Sequence, residues 1–189
     1  GGTATFTVSL SAVTGQDVSF NWVSSNGTAI AGNDYVAGSA NGVTIPAGST
    51  TASINVVTTN DTLYETSETF NVVISSPANA TVGDSTGVAT LTDNDATPSL
   101  SIDDVTVTEN NNLTFTVTLS ATSGVNTTFD HTTSSVTANA GSDFTATTSS
   151  KTITAGSTTT TITVPITDDA LDELSETFNM ILSNPSNAK

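Results

Sequence analysis

Cysteine is absent from the 189 residues, which removes disulfides, thiolate nucleophiles and zinc-thiolate centres from consideration. Cationic side chains are nearly as scarce. Lys151 and Lys189 stand alone against 18 acidic residues, leaving a net charge of -16. Such a chain repels nucleic acid and anionic lipid surfaces, and neither is expected as a partner. Histidine occurs once, at His131, so a Ser-His-Asp triad could be assembled at most one time. No apolar run approaches the ~20 residues of a membrane-spanning helix, and no membrane insertion is expected. Helix-forming stretches rich in Ala, Leu, Glu and Lys are missing as well.

In place of these the chain carries Thr, Ser, Asn and Gly. Hydrophobic residues make up only 35%, below the usual share for a globular chain. Thr and Val suit a pleated surface, while Gly and Asn suit turns, so the composition favours strands over helices. A surface of one sign destabilises the compact state by self-repulsion, and divalent cations would relieve that cost.

The acids are clustered, and the clusters repeat. Asp61-Thr-Leu-Tyr-Glu65-Thr-Ser-Glu68-Thr-Phe70 returns as Asp169-Ala-Leu-Asp-Glu173-Leu-Ser-Glu176-Thr-Phe178. Phe6-Thr-Val-Ser-Leu10 returns as Phe115-Thr-Val-Thr-Leu119, and Ala31-Gly-Asn-Asp34-Tyr35 as Ala140-Gly-Ser-Asp143-Phe144, both at an offset of 109. Two homologous domains follow, over residues 1–95 and 96–189.

Within each copy short alternating segments lie between turn signals, the pattern of an antiparallel sandwich. Strands are expected near residues 4–10, 17–23, 42–46, 51–58, 68–75 and 86–92. Their counterparts fall near 100–108, 113–119, 127–133, 150–154, 159–166 and 176–183. Asn26-Gly27 and Asn41-Gly42 suit tight turns needing positive φ, and Pro77 and Pro185 close their strands at matching places. When the copies are superposed, the first lacks an opening strand and the second a closing one. The fragment therefore reads as a window on a longer tandem array. Each copy is expected to leave an edge that a neighbouring repeat could fill by strand complementation.

Taken together, Ala-Gly-x-Asp-aromatic, Asp-x-x-x-Glu-x-x-Glu-x-Phe and Gly87-Val-Ala-Thr-Leu-Thr-Asp93-Asn94-Asp95 resemble the Calx-beta domain, twice over and across nearly the whole chain. The resemblance implies an all-β fold of two tandem immunoglobulin-like sandwiches, each short of a terminal strand here, with Ca2+ bound in the loops at one end. Calcium takes six to eight hard oxygen ligands, mostly carboxylates. By resemblance the first copy offers Asp34, Asp61, Glu65, Glu68, Asp93 and Asp95, with Asn60 and Asn94 as weaker donors. The second offers Glu109, Asp143, Asp168, Asp169, Glu173 and Glu176. The copies differ at Asn60 and Tyr64, where the second has Asp168 and Asp172, so their ion numbers can differ.

Other readings fit less well. Glu65 and Glu68 could be a glycosidase pair, yet no aromatic platform accompanies them and the motif occurs in both copies. Asp93-Asn-Asp95 lacks the Gly and distal Glu of an EF-hand loop. Trp22 and His131 occupy matching positions, which points to packing rather than catalysis. Tyr35 and Phe144, next to the proposed ligands Asp34 and Asp143, are expected to pin those loops.

The expected function is therefore non-enzymatic: a calcium-binding structural repeat of an extracellular or cell-surface protein, such as an adhesin stalk or filament. Calcium near Asp93 and Asp95 would stiffen the passage into the next repeat. A calcium-sensing regulatory module, or a glycan- or protein-binding accessory module of a secreted enzyme, are the alternatives.

Overall fold

The computed structural model describes residues 1–109, 111–170 and 172–189. Asn110 and Leu171, the latter within the second acidic motif, lie outside the described residues. The chain forms two compact units, Gly1–Thr62 with Thr66–Asp93, and Leu63–Glu65 with Asn94–Lys189. No helix is present among the described residues.

The first unit contains β1 (Thr3–Ser9), β2 (Val18–Asn26), β3 (Ser39–Ile45), β4 (Thr51–Val57), β5 (Glu68–Ala78) and β6 (Thr86–Leu91). They form a two-stranded sheet, β1-β4, and a four-stranded sheet ordered β3-β2-β5-β6, every pairing antiparallel. Alternation decides which side chains meet. In β4 Ile54 and Val56 are buried between exposed neighbours, and in β2 Val18 and Phe20 are buried. These join Ile45, Phe70 and Val72 in one core.

The second unit repeats the plan with β7 (Leu100–Ile102), β8 (Leu113–Leu119), β9 (Thr127–Ser135), β10 (Thr148–Ile153), β11 (Thr159–Val164) and β12 (Phe178–Ser186). Its sheets are ordered β11-β8-β7 and β10-β9-β12. Leu113, Phe115, Val117 and Leu119 of β8 meet Phe129, Ile153, Ile162 and Val164 in its core. The all-β, two-sandwich architecture expected from alternation is the one observed. Among the described residues β1 pairs with β4, whereas its counterpart β8 pairs with both β11 and β7, and β12 pairs with β9, whereas its counterpart β5 pairs with both β2 and β6.

Three local expectations are corrected. The strand expected over 100–108 ends at Ile102. Thr116 N–H donates to Asp103 Oδ1 at 2.7 Å, so a carboxylate takes the place of the next backbone acceptor and the main chain leaves the ladder. Val105 and Val107 nevertheless still pack on the core. Asn41-Gly42 is a bulge inside β3 rather than a hairpin turn. The β2 register shifts there between Phe20 and Trp22, and Gly42, at φ 66°, donates its N–H to Asn21 Oδ1. Gly27 is not at positive φ. It is small because a Cβ would lie 2.4 Å from Thr69 O.

Pro77 and Pro185 lie one residue from their strand ends. Ser76 and Asn79 in the first unit, and Asn184 and Asn187 in the second, hold positive φ at equivalent places around them.

Candidate metal centre

The second unit shows how a loop of acids is held. Asp143 Oδ2 accepts the Asn139 N–H at 2.6 Å, while Asp143 N–H donates back to Asn139 O at 3.0 Å. This closes a tight local ring around the carboxylate. Thr167 N–H donates to Asp143 O at 2.9 Å, which ties the ring to the segment carrying Asp168 and Asp169. The next side chain, Phe144, is buried and stacks on Phe178 at 4.2 Å between centroids. Phe178 opens β12 two residues after Glu176, so one aromatic contact fixes the Asp143 loop against the end of the acidic loop. Phe115 completes the cluster edge-on at 6.0 Å.

The first unit repeats this construction. Asp34 Oδ2 accepts Ile30 N–H at 2.6 Å, Thr59 N–H donates to Asp34 O at 2.8 Å, and Tyr35 stacks on Phe70 at 4.2 Å. Tyr35 has a hydroxyl that Phe144 lacks, and it donates to Asn26 Oδ1 at 2.7 Å. That same oxygen accepts Ala31 N–H. Pinning of both loops by the aromatic next to each Asp is thus observed in both copies.

Carboxylate oxygens of Asp143, Glu173 and Glu176 lie within 4.8 Å of one another, and in the first unit those of Asp34 and Glu68 approach to the same limit. Glu65 belongs to the Leu63–Glu65 segment, where Tyr64 O accepts Gly124 N–H at 2.9 Å. Asp168, Asp169 and Glu109 line the cleft that holds the Asp143 group, without joining its close triad. Asn60 Nδ2 donates to Asp61 O at 3.0 Å. Asp61 and Asn94 are on loops, and Asp93 and Asp95 are half-buried beyond β6. Ser142, which sequence reasoning passed over, donates to Asn139 O and hydrogen-bonds Asp143. A Ser one residue before the acid was the available signal.

Electrostatics mark the second group as short of positive charge. Lost solvation, then the charges of Asp169, Asp143 and Glu109, hold Glu173 above the ordinary glutamate value. Glu176 is raised by lost solvation, by a hydrogen bond with Asp143, and by the charges of Asp143, Glu173 and Glu109. Asp143 moves the other way, chiefly because the Asn139 N–H, and next Ser142, stabilise its ionised form. Asp143 and Glu176 thus sit close enough to share a proton. A hard divalent cation would let both ionise at that separation, and carboxylates are its preferred ligands. The donor set fits calcium: Asp143, Glu173 and Glu176 would hold it, with carbonyls and water completing the shell.

His131 has no part in this group. It is 2% exposed in β9, opposite Ser149 of β10 and Leu182 of β12, and its Nδ1 has no hydrogen-bond partner. Its equivalent Trp22 packs over Gly38, where a Cβ would meet the indole at 2.8 Å. Both are packing positions.

The Calx-beta domain model matches residues 1–97 and again residues 92–189. Among solved structures, one described as CBD12 from CALX1.2 is 18% identical with a TM-score of 0.47, covering 97% of this chain and 74% of that one. A second, described as the calcium binding domain CBD12 of CALX1.1, is 16% identical with a TM-score of 0.48, covering 97% and 73%. A third, an apo-form Calx CBD1 domain, is 20% identical with a TM-score of 0.45 and covers 50% of this chain and 84% of that one. No curated protein matches the chain. With both copies matched in full succession, the chain belongs to the Calx-beta family as two domains in tandem.

Proposed function

We propose that this chain is a non-catalytic calcium-binding segment of an extracellular or cell-surface protein, a stalk or filament built from repeats of this kind. The observation that carries the reading is the convergence of Asp143, Glu173 and Glu176, with the Glu173 and Glu176 carboxyls raised first by lost solvation and then by the neighbouring carboxylates. A divalent cation supplies the positive charge that this loop lacks. The chain's own residues do the positioning: the Asn139 ring orients Asp143, and the Phe144–Phe178 stack sets Glu176 beside it. Asp93 and Asp95 follow the last strand of the first unit, and that position supports a stiffening role for calcium where one repeat passes to the next.

Calcium that binds only the folded form adds ~2.7 kcal/mol at one hundred times its Kd. A calorimetric calcium titration paired with thermal melting tests the reading. Calcium should raise the melting temperature of the native chain. Glu173→Gln should lose most of that gain for the second unit while melting no lower than wild type in chelator, because one repelling charge is gone. Scattering profiles that are the same with calcium and with chelator would remove the stiffening role. A large shape change at submicromolar calcium would point instead to a sensor.

A further inference from the structure

The offset between the two copies changes between β2 and β4. It is 109 at Trp22 and His131 and again at Tyr35 and Phe144, but 108 at Ile45 and Ile153 and at Ile54 and Ile162. The first unit therefore holds one residue more between Tyr35 and Ile45. That residue is taken up by the bulge at Asn41-Gly42, where β2 and β3 shift register between Phe20 and Trp22. β9 and β10 pair without a break, from Thr132 opposite Thr148 to Thr127 opposite Ile153.

Both β3 and β10 stand at the outside of their sheets among the described residues. A bulge bends a strand and increases its twist, which spoils an edge for pairing. β10 has no such kink, and its six residues offer a straight row of main-chain donors and acceptors to any second strand.

The straight edge carries a cation instead. Lys151, one of only two lysines in the chain, lies opposite Phe129 as Val43 lies opposite the equivalent Phe20. Val43 packs on the core of the first unit. Lys151 is half-buried and shares the core-facing side of β10 with Ser149 and the buried Ile153. Its charge bears on the buried imidazole of His131, which faces the same side from β9.

We propose that Lys151 guards this edge, keeping β10 of one copy from pairing with β10 of another. It does for the second unit what the Asn41-Gly42 bulge does for the first. A lysine stem lies on apolar side chains while its ammonium reaches water past the rim of the sheet. A second strand laid along β10 closes that way out. With both core faces on one side, antiparallel pairing sets Lys151 opposite Ser149, Lys151 or Ile153 of the second copy, because side chains alternate with a period of two. Either two ammonium groups meet face to face or one is covered by the joined sheet, and both are costly. Net charge also holds copies apart, but salt screens that repulsion, whereas it screens a covered charge far less.

The test compares the full 189-residue chain with Lys151→Val, which installs the residue the twin tolerates, in chelator and ~1 M sodium chloride, where screening leaves a reach of only ~3 Å. Sedimentation velocity over a range of concentrations should give a constant coefficient for wild type and a rise toward two chains for Lys151→Val. Hydrogen exchange should slow at residues 148–153 of the associated variant and stay unchanged at β3. Lys151→Glu, which keeps a charge of the other sign at that place, should remain monomeric. If Lys151→Val melts far below wild type, Lys151→Thr replaces it with the same outcome expected. The proposal is overturned if the uncharged variants stay monomeric throughout, if wild type or Lys151→Glu associates to the same extent, or if the newly protected amides lie outside β10.

Discussion

His131 is a buried titratable group inside a strand. Burial first, and the nearby charge of Lys151 second, push its imidazole below the ordinary value of 6.5, while Asp130 opposes them. The unfolded chain therefore binds a proton that the folded chain resists. Stability is complete above about pH 6.5 and falls as pH drops toward the folded value. Urea midpoints at about pH 7.5 and 5.5 should differ in that direction, and His131→Met should flatten the slope. Glu173 and Glu176 carry the opposite sign. Their raised values make the calcium-free protein lose stability as pH climbs above the ordinary 4.5. The His131→Met comparison separates the two, because it leaves the glutamates untouched.

At the scale of the element, the short strand β7 ends where a side chain interrupts its ladder. Asp103→Ala should cost about 1 kcal/mol and expose the Thr116 amide to exchange, with Thr118 little affected. This interruption also marks how far the sequence could be read. Period-two alternation in segments such as Thr51–Val57 decides strand and face together, so those strands appear where expected. Residues 103–108 keep apolar residues at alternate places, and nothing in that pattern reveals that Asp103 would replace a backbone partner. Asn41-Gly42 carries a hairpin signature, yet it is absorbed as a bulge because β2 and β3 pair on both sides of it. The acids were legible as a group. Which of them converge was not, because it depends on the Asp143 ring and on a ring stack between residues far apart in sequence.

At the scale of the whole molecule, a net charge of -16 with two lysines sets a folding cost that does not depend on any one site. Salt screens such repulsion over ~10 Å at 0.1 M and ~3 Å at 1 M. In chelator, the melting temperature should therefore climb steadily with sodium chloride across that range. With saturating calcium the climb should be shallower, because part of the charge is already neutralised. A melting temperature insensitive to salt in chelator would mean that the carboxylates are too dispersed for their repulsion to matter.

The exchange of Trp22 for His131 at one strand position gives each unit its own spectroscopic label. Indole fluorescence arises only from the first unit, and imidazole proton resonances only from the second. Without any introduced dye, the melting of the two domains can be followed separately in a single sample, and so can the order in which calcium reaches them.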